Sequence, residues 1–99
     1  MEGIIEVIMT IDSKEKAEQI GKSMVERRLV SCAQISGPVK SIYWWKGKIE
    51  ESAEWRCIMK THENLYKIVE EEIKKLHTYE LPEIVAIKLD NYLPEYADW

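Results

Sequence analysis

Nine residues near the amino end constrain this chain more than any others. In Gly3-Ile4-Ile5-Glu6-Val7-Ile8-Met9-Thr10-Ile11 the apolar and β-branched side chains fall on odd and even positions alike. Strand side chains alternate between faces, so this run predicts a central strand covered on both sides. The rest of the chain must supply two covers.

The next segments supply one of them. Asp12 offers an N-cap, with Glu15 completing a capping box, and Ala17, Ile20, Met24, Val25 and Leu29 follow at helical spacing. This predicts a first helix over 13–29. From Val30 to Trp45 the pattern is strand-like, but the apolar phase moves from odd (Ala33, Ile35, Val39) to even (Ile42, Trp44). A one-residue slip inverts the faces of a strand, so a bulge is expected near Gly37–Ser41. Trp45-Lys46-Gly47-Lys48 reads as a hairpin tip, with a returning strand over 48–61. That strand carries Ile49, Ala53, Trp55, Cys57 and Met59 on one parity and Glu50, Glu54, Arg56 and Lys60 on the other. Thr61 is placed to cap a second helix over 62–76, with a stripe of Leu65, Ile68, Val69, Ile73 and Leu76. Glu70/Lys74 and Glu71/Lys75 are spaced to pair on its wet side. A connection ending at Pro82 leads to a last strand over 83–89 and a short terminal helix from Leu93 to Trp99.

The order β-α-β-β-α-β is the split-βαβ, ferredoxin-like pattern. It predicts an α+β sandwich with an antiparallel sheet, a long hairpin between the second and third strands and both helices on one face. The whole chain, 1–99, reads as one domain. Such a layout leaves the other sheet face bare, although the first strand is apolar there too and Ile58 lies among polar positions of the third. Self-association is the simplest cover.

Composition narrows the partners. The chain is 45% hydrophobic and 32% charged with a formal charge of −4, and its acids and bases are interspersed. No basic stripe is present for phosphates, which argues against nucleic acid or anionic membrane as a main partner. Cys32 and Cys57 sit in strand-like runs without C-x-x-C spacing and read as reduced thiols. The amino end carries no basic region followed by an apolar stretch, so the expectation is a cytoplasmic protein without a transmembrane helix. No P-loop, Cys-x-x-Cys metal loop, Gly-rich anion loop with Arg, or nucleophile elbow occurs, so no catalytic residue is assigned.

Three stretches carry a resemblance: Arg27-Arg28-Leu29-Val30-Ser31-Cys32-Ala33, Ser41-Ile42-Tyr43-Trp44-Trp45-Lys46-Gly47-Lys48-Ile49-Glu50, and His77-Thr78-Tyr79-Glu80-Leu81-Pro82-Glu83-Ile84. Together they resemble the CutA divalent-cation tolerance family, in order from about Val7 to Trp99. The resemblance implies a homotrimer whose long hairpins pair between subunits. It also implies a role in tolerance of divalent cations, notably copper, and no established reaction. The family architecture is similar to that of nitrogen-signalling regulatory trimers, so a small effector in an inter-subunit cleft is the alternative function. Thr78 stands where the family usually has Pro, Gln34 where Asn is common, Met9 where some relatives have Cys, and Leu76 where some have a second His.

The candidate metal ligands are His77, Met9, Cys32, Glu80 and Glu83. An imidazole with carboxylates and a soft sulfur suits Cu or Zn better than Mg, and folding requires neither metal. Each residue also has a plainer reading: His77 as partner to the last carbonyls of a helix, Met9 and Cys32 as core, Glu80 and Glu83 as solvated loop carboxylates. Tyr43, Trp44, Trp45 and Trp55 are candidate interface anchors, or a stacking cage for a ligand.

Overall fold

The computed structural model describes residues 3–98. Four strands, β1 (Ile4–Ile11), β2 (Cys32–Trp45), β3 (Lys48–His62) and β4 (Ile84–Leu89), form one sheet in the order β2-β3-β1-β4. Every pairing is antiparallel. Helices α1 (Lys14–Glu26) and α2 (Tyr66–Leu76) complete the βαββαβ order, and a 3-10 turn, Pro94–Asp98, follows β4. This is the ferredoxin-like sandwich expected.

Both helices cover one face. Ile5, Val7, Met9 and Ile11 of β1 join Cys57 and Met59 of β3, Ala17, Ile20 and Met24 of α1, and Val69 and Ile73 of α2 in a single buried cluster. Gly21 lets α1 approach closely: a Cβ there would lie 3.0 Å from Ala33 Cβ and 3.2 Å from Cys57 Sγ. Among the described residues neither α1 nor α2 covers the opposite face. Across it runs the row Gln34, Ile58, Ile8, Val85, each directly opposite the next. Ile8 is buried at the centre, whereas Val85 and Ile87 on the edge strand are 45% and 52% exposed.

The β2–β3 hairpin reaches well beyond the helices, and the molecule measures 44 × 26 × 22 Å. Its register shifts between Ser36 and Val39, where the phase change in the sequence placed a bulge. Gly37, at φ 151°, passes so close to Trp55 that an added Cβ would stand 2.7 Å from Trp55 Cδ1. Lys46 and Gly47 both take positive φ, 50° and 79°, as a two-residue type I′ turn requires.

Several boundaries differ from the sequence reading. Asp12 does not cap α1; Ser13 does, its Oγ accepting from the Lys16 amide at 3.2 Å, so the Asp12–Glu15 capping box is not formed. The helix ends at Glu26, not Leu29. Arg28 takes φ 58°, the Leu29 amide donates to Met24 and the Arg28 amide to Val25, which together are a Schellman stop. A helix-ending Arg in the left-handed region gives no glycine signal to read. The second strand correspondingly begins at Cys32, not at Val30.

Thr61 belongs to β3 and not to a cap. Its hydroxyl donates to the Leu29 carbonyl at 2.7 Å, tying the sheet to the end of α1. A 3-10 turn, Glu63–Leu65, then precedes α2, which starts at Tyr66 rather than residue 62. The i,i+4 pairs expected on α2 give way to Glu72, which takes Lys75 at 2.9 Å and Arg27, the C-cap of α1, at 2.8 Å, while Glu70 accepts from Tyr66. The terminal helix is a 3-10 turn, and Trp99, its expected end, lies outside the described residues.

Candidate functional site

Where β1 ends, the hairpin leaves the body of the fold, and the connection from α2 to β4 crosses in front of it. Between them lies a cleft of about 730 Å³. Thr10 and Asp12 form one side, Tyr43, Trp44 and Trp45 the hairpin side, and Tyr79 to Glu83 the loop side, with Glu54 among the lining residues.

The loop is fastened by His77. After α2 ends, its ring comes within 2.7 Å (Nε2) of the Thr10 carbonyl, and its Nδ1 accepts from the Tyr79 amide at 3.1 Å. These contacts define a neutral imidazole with the proton on Nε2. Both nitrogens are committed to backbone, and the ring packs edge-on against Tyr79 with centroids 4.7 Å apart. Neither nitrogen is free for a metal while these bonds hold.

Tyr79 in turn reaches into the cleft. Its hydroxyl donates to Glu54 Oε2 at 2.7 Å. Glu54 is only 5% exposed, a carboxylate in a strand position where alternation predicts a wet one. The extra residue of the bulge lies in β2, where Gly37 and Pro38 stand against Trp55, so β3 keeps its alternation: Trp55 packs against the core cluster, and Glu54, on the other parity, is covered in the cleft where Tyr79 reaches it. Burial, and then the hydrogen bond to Glu54, push the Tyr79 phenol well above its ordinary value, and the nearby charge of Asp12 adds to the effect.

The sequence candidates do not all meet here. Glu80 and Glu83 line the cleft; Glu83 accepts from the Thr10 hydroxyl at 3.4 Å, and Glu80 lies 3.8 Å from Lys46 Nζ. Met9 lies in the closed core with no exposed surface, on the helix-covered face of the sheet. Cys32 is on the other face, paired in register with Lys60, and its Sγ is 3.9 Å from the Tyr96 hydroxyl. The two sulfurs are therefore separated by the sheet. Cys57, also free, is held inert by burial, which pushes its thiol up to about 12. Among the described residues no three His, Cys, Asp or Glu side chains converge as a metal shell. Tyr43, Trp44 and Trp45 all face the cleft, whereas Trp55 packs against the core cluster beside Gly37.

Glu54, Tyr79, Asp12 and Thr10 were not singled out by sequence. The one signal for Tyr79 is its place inside the His77–Ile84 stretch. Nothing in the strand pattern distinguishes Glu54 from its solvated neighbours.

A ferredoxin-like sandwich with an overlong hairpin, and a cleft where that hairpin meets the α2–β4 loop, defines a small class of α+β proteins. Residues 5–99 match the family described as CutA1 divalent ion tolerance protein, and the chain belongs to that family. The divalent-cation tolerance protein CutA of Thermotoga maritima is 43% identical over 97% of this chain and 94% of its own length. Among solved structures, CutA of Archaeoglobus fulgidus, described as periplasmic, aligns with a TM-score of 0.93 at 38% identity, covering 97% of this chain and 93% of that one. The divalent cation tolerance protein of Thermus thermophilus aligns with a TM-score of 0.92 at 38% identity, over 100% and 94% of the two chains. No helix of the described residues is long and apolar enough to cross a membrane.

Proposed function

We propose that this chain serves in divalent-cation tolerance as a non-enzymatic, cytoplasmic homotrimer, taking copper or zinc as cargo at the rim of the cleft. The observation that carries the reading is the position of Glu80 and Glu83. They flank Pro82 on the loop that His77 anchors, and both line the cleft. Two carboxylates make a partial shell, and among the described residues one chain brings no third donor to them. A full shell draws either on a second copy or on His77 after its bond from the Tyr79 amide is released. Imidazole favours copper and zinc over harder ions, and the release would make binding slow and modest. Met9 and Cys32 are left out of this shell, because one is sealed in the core and the other does not line the cleft.

Unspent apolar surface supports self-association. Ile42, Trp44 and Ile49 on the hairpin are 63%, 71% and 60% exposed, and Val85 and Ile87 border the uncovered sheet face. Patches of this kind mark interfaces. The experiment is calorimetric titration with Cu(II) and Zn(II) of the wild type, Glu80→Gln/Glu83→Gln and His77→Ala. The reading expects weakened binding in the carboxylate pair. Equal binding by all three proteins contradicts it.

A second reading, a regulatory trimer with a small organic effector in the cleft, is favoured by one specific observation. Aromatic side chains form much of the lining, and a metal ion makes no use of them.

A further inference from the structure

We propose that the cleft binds a small organic primary ammonium compound, with the Glu54 carboxylate as its anionic anchor and the rings of Tyr43, Trp45 and Tyr79 as its walls. This inference rests on the second reading above and specifies the ligand's chemical class.

Charge and shape both point there. Four of the lining residues, Asp12, Glu54, Glu80 and Glu83, are carboxylates, and among the described residues the lining contains no Lys, Arg or His. Among the described residues no three His, Cys, Asp or Glu side chains gather as a metal shell. An acidic lining without such a shell suits an extended cation better than a compact metal ion.

Glu54 is the strongest case. It is a buried carboxylate whose partner is the neutral Tyr79 phenol, at 2.7 Å. No ion pair among the described residues involves it. A buried charge is costly without an opposite charge, and a single phenol hydrogen bond compensates only part of that cost. An ammonium group in the cleft would complete it.

The aromatic component is independent of the carboxylates. An ammonium is attracted to the face of an aromatic ring within about 6 Å. The rim already does this with a group of the protein's own. Lys46 Nζ lies 5.5 Å from the centroid of Trp45 and 3.8 Å from Glu80 Oε2, so a primary ammonium is held by one ring and one carboxylate of the cleft lining. The inner part, with Glu54, Tyr79 and Tyr43, repeats this pairing of acid and ring without a cation from the described residues.

The test uses the intact oligomer, freed of metal by chelator, titrated with diaminobutane and with butanediol. These probes share a carbon chain and differ in charge. Calorimetry and tryptophan fluorescence are read together on wild type, Glu54→Gln and Trp45→Leu. Glu54→Gln keeps an acceptor for Tyr79, and Trp45→Leu removes a wall residue without disturbing Glu54, so one remains informative if the other misfolds. The expected result is saturable binding of diaminobutane at least about tenfold tighter than butanediol, with a further loss of about tenfold in Glu54→Gln and a smaller one in Trp45→Leu. Equal affinity for the two probes would overturn the inference while leaving a charge-indifferent effector site standing. No saturable binding of either probe would overturn it as well. So would a Glu54→Gln protein that binds diaminobutane unchanged, or one that binds none only because its oligomer has dissociated, since the natural cation would then be a side chain of a neighbouring copy.

Discussion

The two halves of the β2–β3 hairpin are made of similar residues and live in opposite surroundings. Near the body, Cys57 and Met59 of β3 are sealed beneath α1 and α2. Further out, Ile49 of the same strand and Ile42 and Trp44 of β2 stand in the open. Both halves keep alternating apolar patterning, and only the body has helices to cover it. The contrast separates two uses of hydrophobic residues: the inner half specifies how one chain folds, while the outer half lines the cleft and leaves Ile42, Trp44 and Ile49 exposed, the surface from which the oligomer is proposed. The bulge at Ser36–Val39 is the junction, where β2 changes face opposite the buried Glu54.

The sharpest test of that contrast is to truncate one residue in each half. Met59→Ala should cost about 2–5 kcal/mol in chemical denaturation, as loss of a fully buried Met side chain does. Ile49→Ala should leave the fold of each chain intact and instead weaken the oligomer, read as a concentration-dependent mass. If both variants lose the same unfolding free energy at fixed oligomeric state, the distinction fails.

The junction comes next in size. Gly37→Ala should destabilise by about 1–3 kcal/mol, because its Cβ would press on the Trp55 ring at a backbone angle that L residues rarely adopt. Tyr79→Phe should cost about 1–3 kcal/mol at neutral pH by leaving Glu54 without its donor. The phenol adds a pH signature. Its folded pKa is raised, so in the alkaline range above the ordinary 10.0 the unfolded chain ionises first, and stability falls as pH rises. Thermal melts of Tyr79→Phe should lack that part of the alkaline loss.

The smallest effect belongs to Glu72. Hydrogen bonds from Lys75 and Arg27 hold its carboxyl below the ordinary value, so its contribution is present above pH 4.5 and is lost as the pH falls through the folded pKa. Glu72→Gln should lower the melting temperature slightly near pH 7 and not at all in strong acid, and raised salt should shrink the difference.

Much of this was legible in the chain itself. The two-faced apolarity of residues 3–11 specified a central strand, and the phase change between Val39 and Ile42 located the bulge to within a few residues. Both signals are periodic and depend on side-chain burial, which sequence records well. The misread positions were decided by single hydrogen bonds. Ser13 rather than Asp12 caps α1, Arg28 supplies a left-handed stop without glycine, and Thr61 bonds the end of α1 from inside a strand. The candidate site was legible only in part for the same reason. Glu80 and Glu83 line the cleft from within the loop motif, but the burial of Glu54 depends on cover by Tyr79, a contact between distant residues that strand periodicity does not record. His77 is bonded to backbone, as its plainer reading had it, but to the Thr10 carbonyl and the Tyr79 amide rather than to the last carbonyls of α2.

In the proposed trimer two further copies of the chain close the outer hairpin and the uncovered sheet face. The direct measurement is sedimentation equilibrium of the purified protein at micromolar concentration, beside a Trp44→Glu/Ile49→Glu variant. The account predicts a single species of three times the 11.7 kDa chain mass for wild type and a folded, smaller species for the variant. A monodisperse monomer for wild type, or a variant that stays trimeric, would contradict it.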